Sequence, residues 1–497
     1  MFTFGRYGYI ISLVFLYCEA QTHQFGLDGL RRSGFRVQTY GFFCHEKVTN
    51  GDHIIQIVNE FIVVRHCFNA VVAGVFWAFF TVGRKFFKER KLLIVVFLLV
   101  FSFFNDAVCE RLKLQFVVEF QQFFLVGLLW MALAAVGCRD SRPFAVEDFT
   151  VERYTPRYAS GFDIRSREGS ASSLVTVRNP WQGGSGEVQY LYVVRDGEPV
   201  PAGFPGQVVE APVRRVVCMS SSHVAMFDLL GEVERIVGVS GIDYIANDYV
   251  AAHKLCGEVR DVGYDSNLNF ELLVAMRVDL VLLYGVAGED TAVTNKLREL
   301  GIPYIYIGDY VEESPLGKAE WVMVIAELTD RMEQGCSLFD ATCARYEALR
   351  DGVKPGQRPR VMLNTPYRDT WYLPSADSYM VRLIEDAGGA YVCPEARGNA
   401  SYAVEIEQAY LLTNSADYWL NTGAANSLQE LVRQNPRFAS VPAVRNGRVF
   451  NNNRRQTPAG GSDFWESGVV HPDRVLADLI RIFEGRSDSL WYYKKLE

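Results

Sequence analysis

Three serines and a histidine stand between an apolar run and a helix-like pattern, in the stretch RVVCMSSSHVAMFDLLG (215–231). Serine hydroxyls and the free N–H groups at a helix start can bind an acidic group of a ligand. Ser221, Ser222 and His223 are therefore candidate ligand contacts. The alternative for His223 is a structural role, either as a helix cap or in a buried hydrogen bond.

Aromatic and arginine side chains follow other predicted strands. The aromatic candidates for ligand binding are Tyr264, Tyr284, Trp371, Tyr372, Phe464 and Trp465. Rings that face each other across a cleft suit a large planar or semi-planar ligand, because they give contact area with little loss of entropy. Arg368, together with Arg454 and Arg455, can pair with ligand carboxylates or phosphates. Packing in the ordinary core is the alternative for each ring.

The elements that would position these residues follow an alternating pattern. Short apolar runs alternate with amphipathic helices from residue 213, which indicates a parallel sheet covered by helices. Such sheets bind ligands at the carboxyl ends of their strands. Residues 315–352 contain no strand-like segment and predict two helices, the second about 20 residues and about 30 Å long. The sequence therefore predicts an α/β fold with two Rossmann-like lobes, 213–314 and 353–486, joined by a rigid helical strut.

The residues before the first lobe divide into two regions. Residues 139–212 carry two β-rich runs joined by QGGSGE and then a Pro/Gly-rich stretch, which predicts a small β extension and a linker. Residues 1–138 hold 22 of the 33 phenylalanines and none of the 18 prolines. The net charge of residues 1–138 is +4 and that of residues 139–497 is −12, which together give the total of −8. An acidic second part argues against nucleic-acid binding, which favours a basic surface.

The end of the first region resembles a lipoprotein signal. An apolar run at 123–137 is shorter than the roughly 20 residues of a membrane span and ends in LAAVGC. We expect a lipoprotein signal peptide at 122–138 with Cys138 as the lipid-modified residue. Residues 1–121 are then a doubtful leader or a mis-assigned start. A membrane-embedded N-terminal region with one or two spans is the alternative.

Sequence motifs of common enzyme classes are missing. The chain has no GxSxG, P-loop, HExxH or GxGxxG fingerprint. After residue 138 the only histidines are His223, His253 and His471, which lie far apart in sequence and disfavour a metal hydrolase or a bare-metal receptor. We therefore predict a binding protein with no catalytic residue, no protein-bound metal and no cofactor.

The order of local sequences resembles one family, over about residues 213–485. The stretches that carry the resemblance are RVVCMSSSHVAMFDLLGEVERIVGVSG, DVGYDSNLNFELLVAMRVDLVLLYG, LRELGIPYIYIG, the long linking helix and FASVPAVRNGRVF. They are similar to periplasmic substrate-binding proteins of iron-siderophore, haem and cobalamin ABC importers. The resemblance implies the class III periplasmic binding protein fold, a monomer, a lipid anchor in the periplasm, and an iron complex, haem or cobalamin as ligand.

The resemblance also implies a permease and ATPase complex as partner. In such proteins a surface glutamate on each lobe docks on arginines of the permease. Glu271 matches the first by position and Glu407 the second, with Glu405 as the close alternative. Tyr264 matches an aromatic position that flanks the ligand in cobalamin-binding relatives. A bare-metal-ion receptor and a ligand-sensing lipoprotein without a transport role are the alternative functions.

Overall fold

The computed structural model describes residues 144–286, 288–367, 370–393, 397 and 400–497. The predicted leader, the signal peptide, Cys138 and Arg368 lie outside these residues. Among the described helices, none combines the length and the apolar character that a membrane span requires.

Residues 144–210 form a five-stranded sheet that precedes the lobes. Its strands are β1 (Val151–Tyr154), β2 (Phe162–Ser166), β3 (Ser173–Arg178), β4 (Val188–Val194) and β5 (Gln207–Glu210). They lie in sequence order, antiparallel except for the parallel pair β4–β5. Successive residues of a strand point to opposite faces. Val175 accordingly joins the main core with Trp321, whereas Leu174 joins a small second core with Phe149 and Tyr192.

The first lobe is a parallel five-stranded sheet with the order β10-β9-β6-β7-β8. Its elements are β6 (Val216–Cys218), α1 (Ser221–Leu229), β7 (Ile236–Val239), α2 (Asp248–Cys256), β8 (Arg260–Asp261), α3 (Phe270–Ala275), β9 (Leu280–Leu283), α4 (Thr291–Leu300) and β10 (Tyr304–Tyr306). The chain starts in the middle of the sheet and winds outward in both directions. The strand order therefore reverses between β6 and β9, which is the usual ligand position in such sheets.

Three helices connect the lobes. They are α5 (Pro315–Glu320), α6 (Val322–Thr329) and α7 (Met332–Asp351). All eight residues of α6 are buried, and α6 ends at Asp330, whose φ of 58° is left-handed. The sequence predicts that the second helix begins near residue 329 or 330. In the structure α7 begins at Met332, because the left-handed Asp330 interrupts the helix. At 20 residues, α7 is about 30 Å long.

The second lobe has a sheet of order β13-β11-β15-β16-β17, parallel except for β17. Its elements are β11 (Arg360–Leu363), β12 (Thr370–Pro374), α8 (Tyr379–Asp386), β13 (Ala390–Tyr391), β14 (Ser401–Glu405), α9 (Ile406–Asn414), β15 (Tyr418–Leu420), α10 (Leu428–Gln434), α11 (Pro442–Arg445), β16 (Val449–Asn451), α12 (Ser467–Val470), α13 (Pro472–Phe483) and β17 (Lys494–Lys495). Strands β12 and β14 form a separate antiparallel pair outside this sheet. The predicted fold class is confirmed, and the predicted domain boundaries stay a proposal.

Buried carboxylates fasten the β extension to the connecting helices. Glu320 of α5 is fully buried and accepts hydrogen bonds from the Tyr154 hydroxyl at 2.7 Å and from the backbone N–H groups of Arg157, Tyr158 and Ala159 at 2.7–2.8 Å. The segment after β1 would otherwise leave these donors without partners, which costs free energy in a buried place. The extension is thus held by specific polar contacts as well as by its apolar face.

Candidate functional site

The turn between β6 and α1 begins the site at the carboxyl edge of the first lobe. Ser220 is the N-cap of α1, and its side chain accepts from the backbone N–H of Ser222 at 3.4 Å. Ser221 is partly exposed, and its hydroxyl donates to the carbonyl oxygen of Trp465 at 3.4 Å. Ser221 therefore lies where the two lobes meet, whereas the buried Ser222 is bonded to Ser220 and is not available to a ligand.

The structure buries His223, which favours the structural alternative for this residue over a ligand contact. Its side chain is 0% exposed and neither ring nitrogen has a hydrogen-bond partner. Burial lowers the pKa of His223 to about 4, so the ring is neutral at ordinary pH. The first turn of α1 points this side chain into the core, which is the reason that a ligand in the cleft cannot reach it.

Tyrosines line the first lobe beyond this turn. Tyr264 is 50% exposed and lies over Gly241, where a Cβ atom would come within 2.8 Å of the tyrosine hydroxyl. Gly241 has a left-handed φ of 61°, so glycine is favoured there for two reasons. Tyr284 is half-buried and is hydrogen-bonded to Asp265, and burial together with that carboxyl group raises its pKa. Tyr244 is also half exposed and was not singled out, although it follows the predicted strand RIVGVSG by three residues.

The pair Trp371–Tyr372 divides between core and solvent. Trp371 is 0% exposed, its indole N–H donates to the Leu363 carbonyl oxygen at 3.0 Å, and it packs against Trp419 at 5.6 Å. Tyr372 points to the other face of β12 and is 49% exposed. Neighbouring strand residues cannot both face the cleft, so the burial of Trp371 favours the core alternative for this ring.

The neighbours Phe464 and Trp465 divide in the same way. Phe464 is buried and packs edge-on against Tyr493 at 5.6 Å, which favours the core alternative for this ring. Trp465 is 47% exposed. It lines a cavity of about 20 Å³ with Lys318 and Tyr379, which is space for one water molecule. Tyr264 does not line this cavity, so the two exposed rings do not share it.

A segment of the second lobe closes onto the first lobe beside Tyr264. The Thr457 hydroxyl donates to the Asp243 carbonyl oxygen at 2.9 Å, and the backbone N–H of Ala246 donates to the Glu466 carboxyl group at 2.7 Å. A Cβ atom on Gly461 would lie 1.9 Å from the carbonyl oxygen of Tyr244. We call residues 457–466 the closing segment. Its contacts place Trp465 and the loop after β7 at one junction between the lobes.

Glu466 is buried in this junction. Burial, together with the carboxylates of Asp463 and Asp228, raises its pKa to about 8, although the N–H groups of Ala246 and Asn247 act in the opposite direction. The group is therefore held largely neutral at pH 7 in the folded protein.

Glu466 is expected to make the protein less stable as the pH rises from about 4.5 to about 8. The unfolded chain ionises this group near its ordinary pKa, whereas the folded chain keeps the proton, so stability present at low pH is lost through this window. The loss from one group is at most about 1.4 kcal/mol per pH unit. Urea unfolding gives the free energy of unfolding of the wild type and of Glu466→Gln between about pH 5 and about pH 8. This free energy should fall less with rising pH in the variant, and an equal fall in both proteins would contradict the assignment.

A larger cavity of about 470 Å³ opens at the carboxyl ends of β9 and β10. Its lining includes the tyrosines Tyr284 and Tyr306 and the carboxylates of Asp265, Glu289 and Asp290. Its volume falls in the range of small-molecule sites. Sequence reasoning missed these acids: Asp265 lies in the motif DVGYDSNLNFE but was not singled out there, and Glu289 and Asp290 follow β9 in a segment that carries no pattern beyond its polarity.

The two glutamates that are predicted to dock on a permease lie on different lobes. Glu271 is in the first turn of α3 and Glu407 in the first turn of α9, and both are exposed. The Glu407 carboxylate is 3.8 Å from the Arg437 guanidinium, an exposed pair of little energy. Glu405 is also exposed and precedes α9 as its N-cap residue. Within the described residues, no three His, Cys, Asp or Glu side chains are grouped so that they could hold a metal ion.

The chain folds into two α/β lobes joined by helical connections. Residues 216–453 match the family described as Periplasmic binding protein, so the predicted resemblance to that family is confirmed over this part of the chain.

Individual proteins are similar to this chain over part of its length. An uncharacterized lipoprotein of Methanocaldococcus jannaschii is 26% identical over 321 residues, which covers 60% of this chain and 75% of the relative. The periplasmic heme binding protein HutB of Vibrio cholerae is similar in structure, with a TM-score of 0.42 and 17% identity over 53% of this chain and 97% of that chain. The periplasmic vitamin B12 binding protein BtuF of Vibrio cholerae has a TM-score of 0.41 and 14% identity over 55% and 97%.

Proposed function

We propose that this protein captures an iron complex, as siderophore or haem, or cobalamin, and delivers it to the permease and ATPase of an ABC importer. The observation that carries the proposal is the cavity of about 470 Å³ at the carboxyl ends of β9 and β10, with Tyr284 in its lining and Asp265 bonded to that tyrosine. Tyrosine rings give a large organic ligand contact area, and a few polar groups fix its orientation. Tyr264 is an exposed ring that directly precedes the cavity-lining Asp265 in the chain.

The membrane attachment belongs to the same proposal. A relative that is 26% identical is named a lipoprotein, and LAAVGC supports lipid modification of Cys138 in this chain. The anchored protein would work in the periplasm as a monomer. No catalytic step is assigned to it, because binding and release are sufficient for delivery.

Binding of a chromophoric solute is the test. The purified protein is titrated with haemin, cyanocobalamin and a ferric catecholate complex, and absorption is followed. We expect a saturable change with one of the three at one equivalent. Tyr264→Ala should weaken that binding about tenfold, which corresponds to about 1.4 kcal/mol of aromatic contact. Tyr410→Ala, on α9 of the other lobe, is the control and should bind as the wild type does.

The outcome decides the solute class. Absence of a saturable change with all three compounds would contradict the proposal, whereas the periplasmic binding protein family would still stand on residues 216–453. If haemin binds, Tyr264 becomes the candidate axial ligand, since His223 is buried and tyrosine can ligate haem iron. Loss of the haem spectrum in Tyr264→Phe would then be expected.

A further inference from the structure

The loop between β3 and β4 reaches from the extension to the first lobe. It has a defined shape, because the backbone N–H of Asn179 donates to the Glu187 carbonyl oxygen at 2.9 Å and the Glu187 N–H donates to the Asn179 side chain at 3.0 Å. Gly183 and Gly186 have left-handed φ values of 75° and 78°, which turn the chain at its tip. The loop lies outside residues 216–453, the part of the chain that matches the family.

The tip of this loop packs on residues that follow β9 and β10. The Trp181 ring meets the Tyr306 ring edge-on at 5.4 Å. A Cβ atom on Gly285 would lie 3.0 Å from the Cβ of Trp181, so the tryptophan sits directly on the backbone there. The N–H of Gln182 donates to the Val286 carbonyl oxygen at 3.2 Å. The extension therefore holds the start of the segment after β9 by both packing and a hydrogen bond.

The same residues line the larger cavity. Tyr306 and Val286 belong to its wall, and Trp181 does not. The Tyr306 hydroxyl oxygen accepts from the backbone N–H of Asp290 at 3.2 Å. The ring that packs against Trp181 therefore also holds Asp290, at the far end of the segment after β9. Trp181 thus acts on Asp290 through Tyr306, and on Val286 through Gly285.

We propose that Trp181 is a positioning residue for the solute cavity: from outside the matched domain it holds Gly285 and the cavity-lining residues around it, Tyr284, Val286 and 288–290, in place. This rests on the proposed function, in which the cavity receives part of the solute. An extension that fixes one wall of the cavity reduces the ordering that solute binding must produce, and a preordered wall binds more tightly. The extension is therefore a determinant of affinity and selectivity.

The test compares two aromatic residues of the same extension in the full-length protein. Trp181→Ala removes the ring that packs on Tyr306 and Gly285. Phe204→Ala is the matched control, because Phe204 is also partly buried but packs against Phe144 at 5.0 Å and Tyr192 at 5.7 Å, away from the cavity. Amide hydrogen exchange of residues 286 and 288–290 is measured without solute, and solute affinity is measured with whichever of haemin, cyanocobalamin or the ferric catecholate the wild type binds.

We expect Trp181→Ala to raise exchange in this segment at least about tenfold and to weaken solute binding about tenfold, with Trp181→Phe restoring most of both. Phe204→Ala should change neither. Equal exchange in the two alanine variants overturns the proposal, and so does faster exchange with unchanged affinity. If the wild type binds none of the three solutes, the proposed function fails, and the exchange data still decide whether Trp181 positions the segment.

Discussion

Replacing Glu271 and Glu407 together with lysine is expected to abolish uptake of the solute by cells without changing its affinity for the purified protein. Each carboxylate is exposed on the first turn of a helix, one on each lobe. Exposed charges guide association and fix the orientation of a complex more than they add affinity. Reversal on both lobes would place like charges against a basic permease surface, whereas the cavity would be untouched.

A matched double reversal separates docking from total charge. Glu299→Lys with Glu484→Lys makes the same change of net charge at exposed positions on the two lobes. This control should leave uptake near the wild-type rate. Uptake that survives in Glu271→Lys with Glu407→Lys would contradict the docking assignment. Loss of uptake with Glu405→Lys but not with Glu407→Lys would move the docking residue of the second lobe to Glu405.

Replacing Glu320 with alanine is expected to lower the free energy of unfolding by roughly 2–4 kcal/mol. The carboxylate is fully buried and accepts from three consecutive backbone N–H groups and from the Tyr154 hydroxyl. Its removal leaves donors that must find water or remain unpaired. Urea denaturation gives the measurement, and the loss should appear as a lower midpoint.

Glu347→Ala is the control for this stability effect. Glu347 accepts one hydrogen bond from the Tyr158 hydroxyl at 2.8 Å and is only partly buried, so its loss should cost at most about 1 kcal/mol. The loss of unfolding free energy in Glu320→Gln should lie between the losses in the two alanine variants. One side-chain oxygen remains as an acceptor, but the amide N–H₂ group faces backbone donors. Equal effects of Glu320→Ala and Glu347→Ala would show that the extension is held by its apolar face alone.

The order of strands and helices could be predicted because its signals are local. Apolar runs such as 280–283 and the amphipathic pattern of 291–300 each lie within a dozen residues, and capping residues such as Asp290 mark where helices begin. Alternation of these elements then limits the fold to parallel sheets covered by helices. The separate pair β12–β14 was not predicted, because pairing between strands 30 residues apart leaves no local signal.

The side chains that face the gap could be predicted only in part. Tyr264 and Trp465 are exposed near the junction, but Trp371, Phe464 and His223 are buried. The sequence shows that an aromatic residue follows a strand; it does not show which face of that strand or helix is covered. That depends on which distant segment packs there, as Trp419 does on Trp371.

By itself, the sequence determined the succession of elements, the two lobes and the family resemblance, since each follows from periodicity and motif order along the chain. The tertiary structure decided which rings are accessible, that Glu320 and Glu466 are buried, and that Trp181 packs on the cavity wall. The contacts of the two carboxylates and of Trp181 join segments more than 100 residues apart. Their free energies arise from burial and from partners that exist only after the chain has folded.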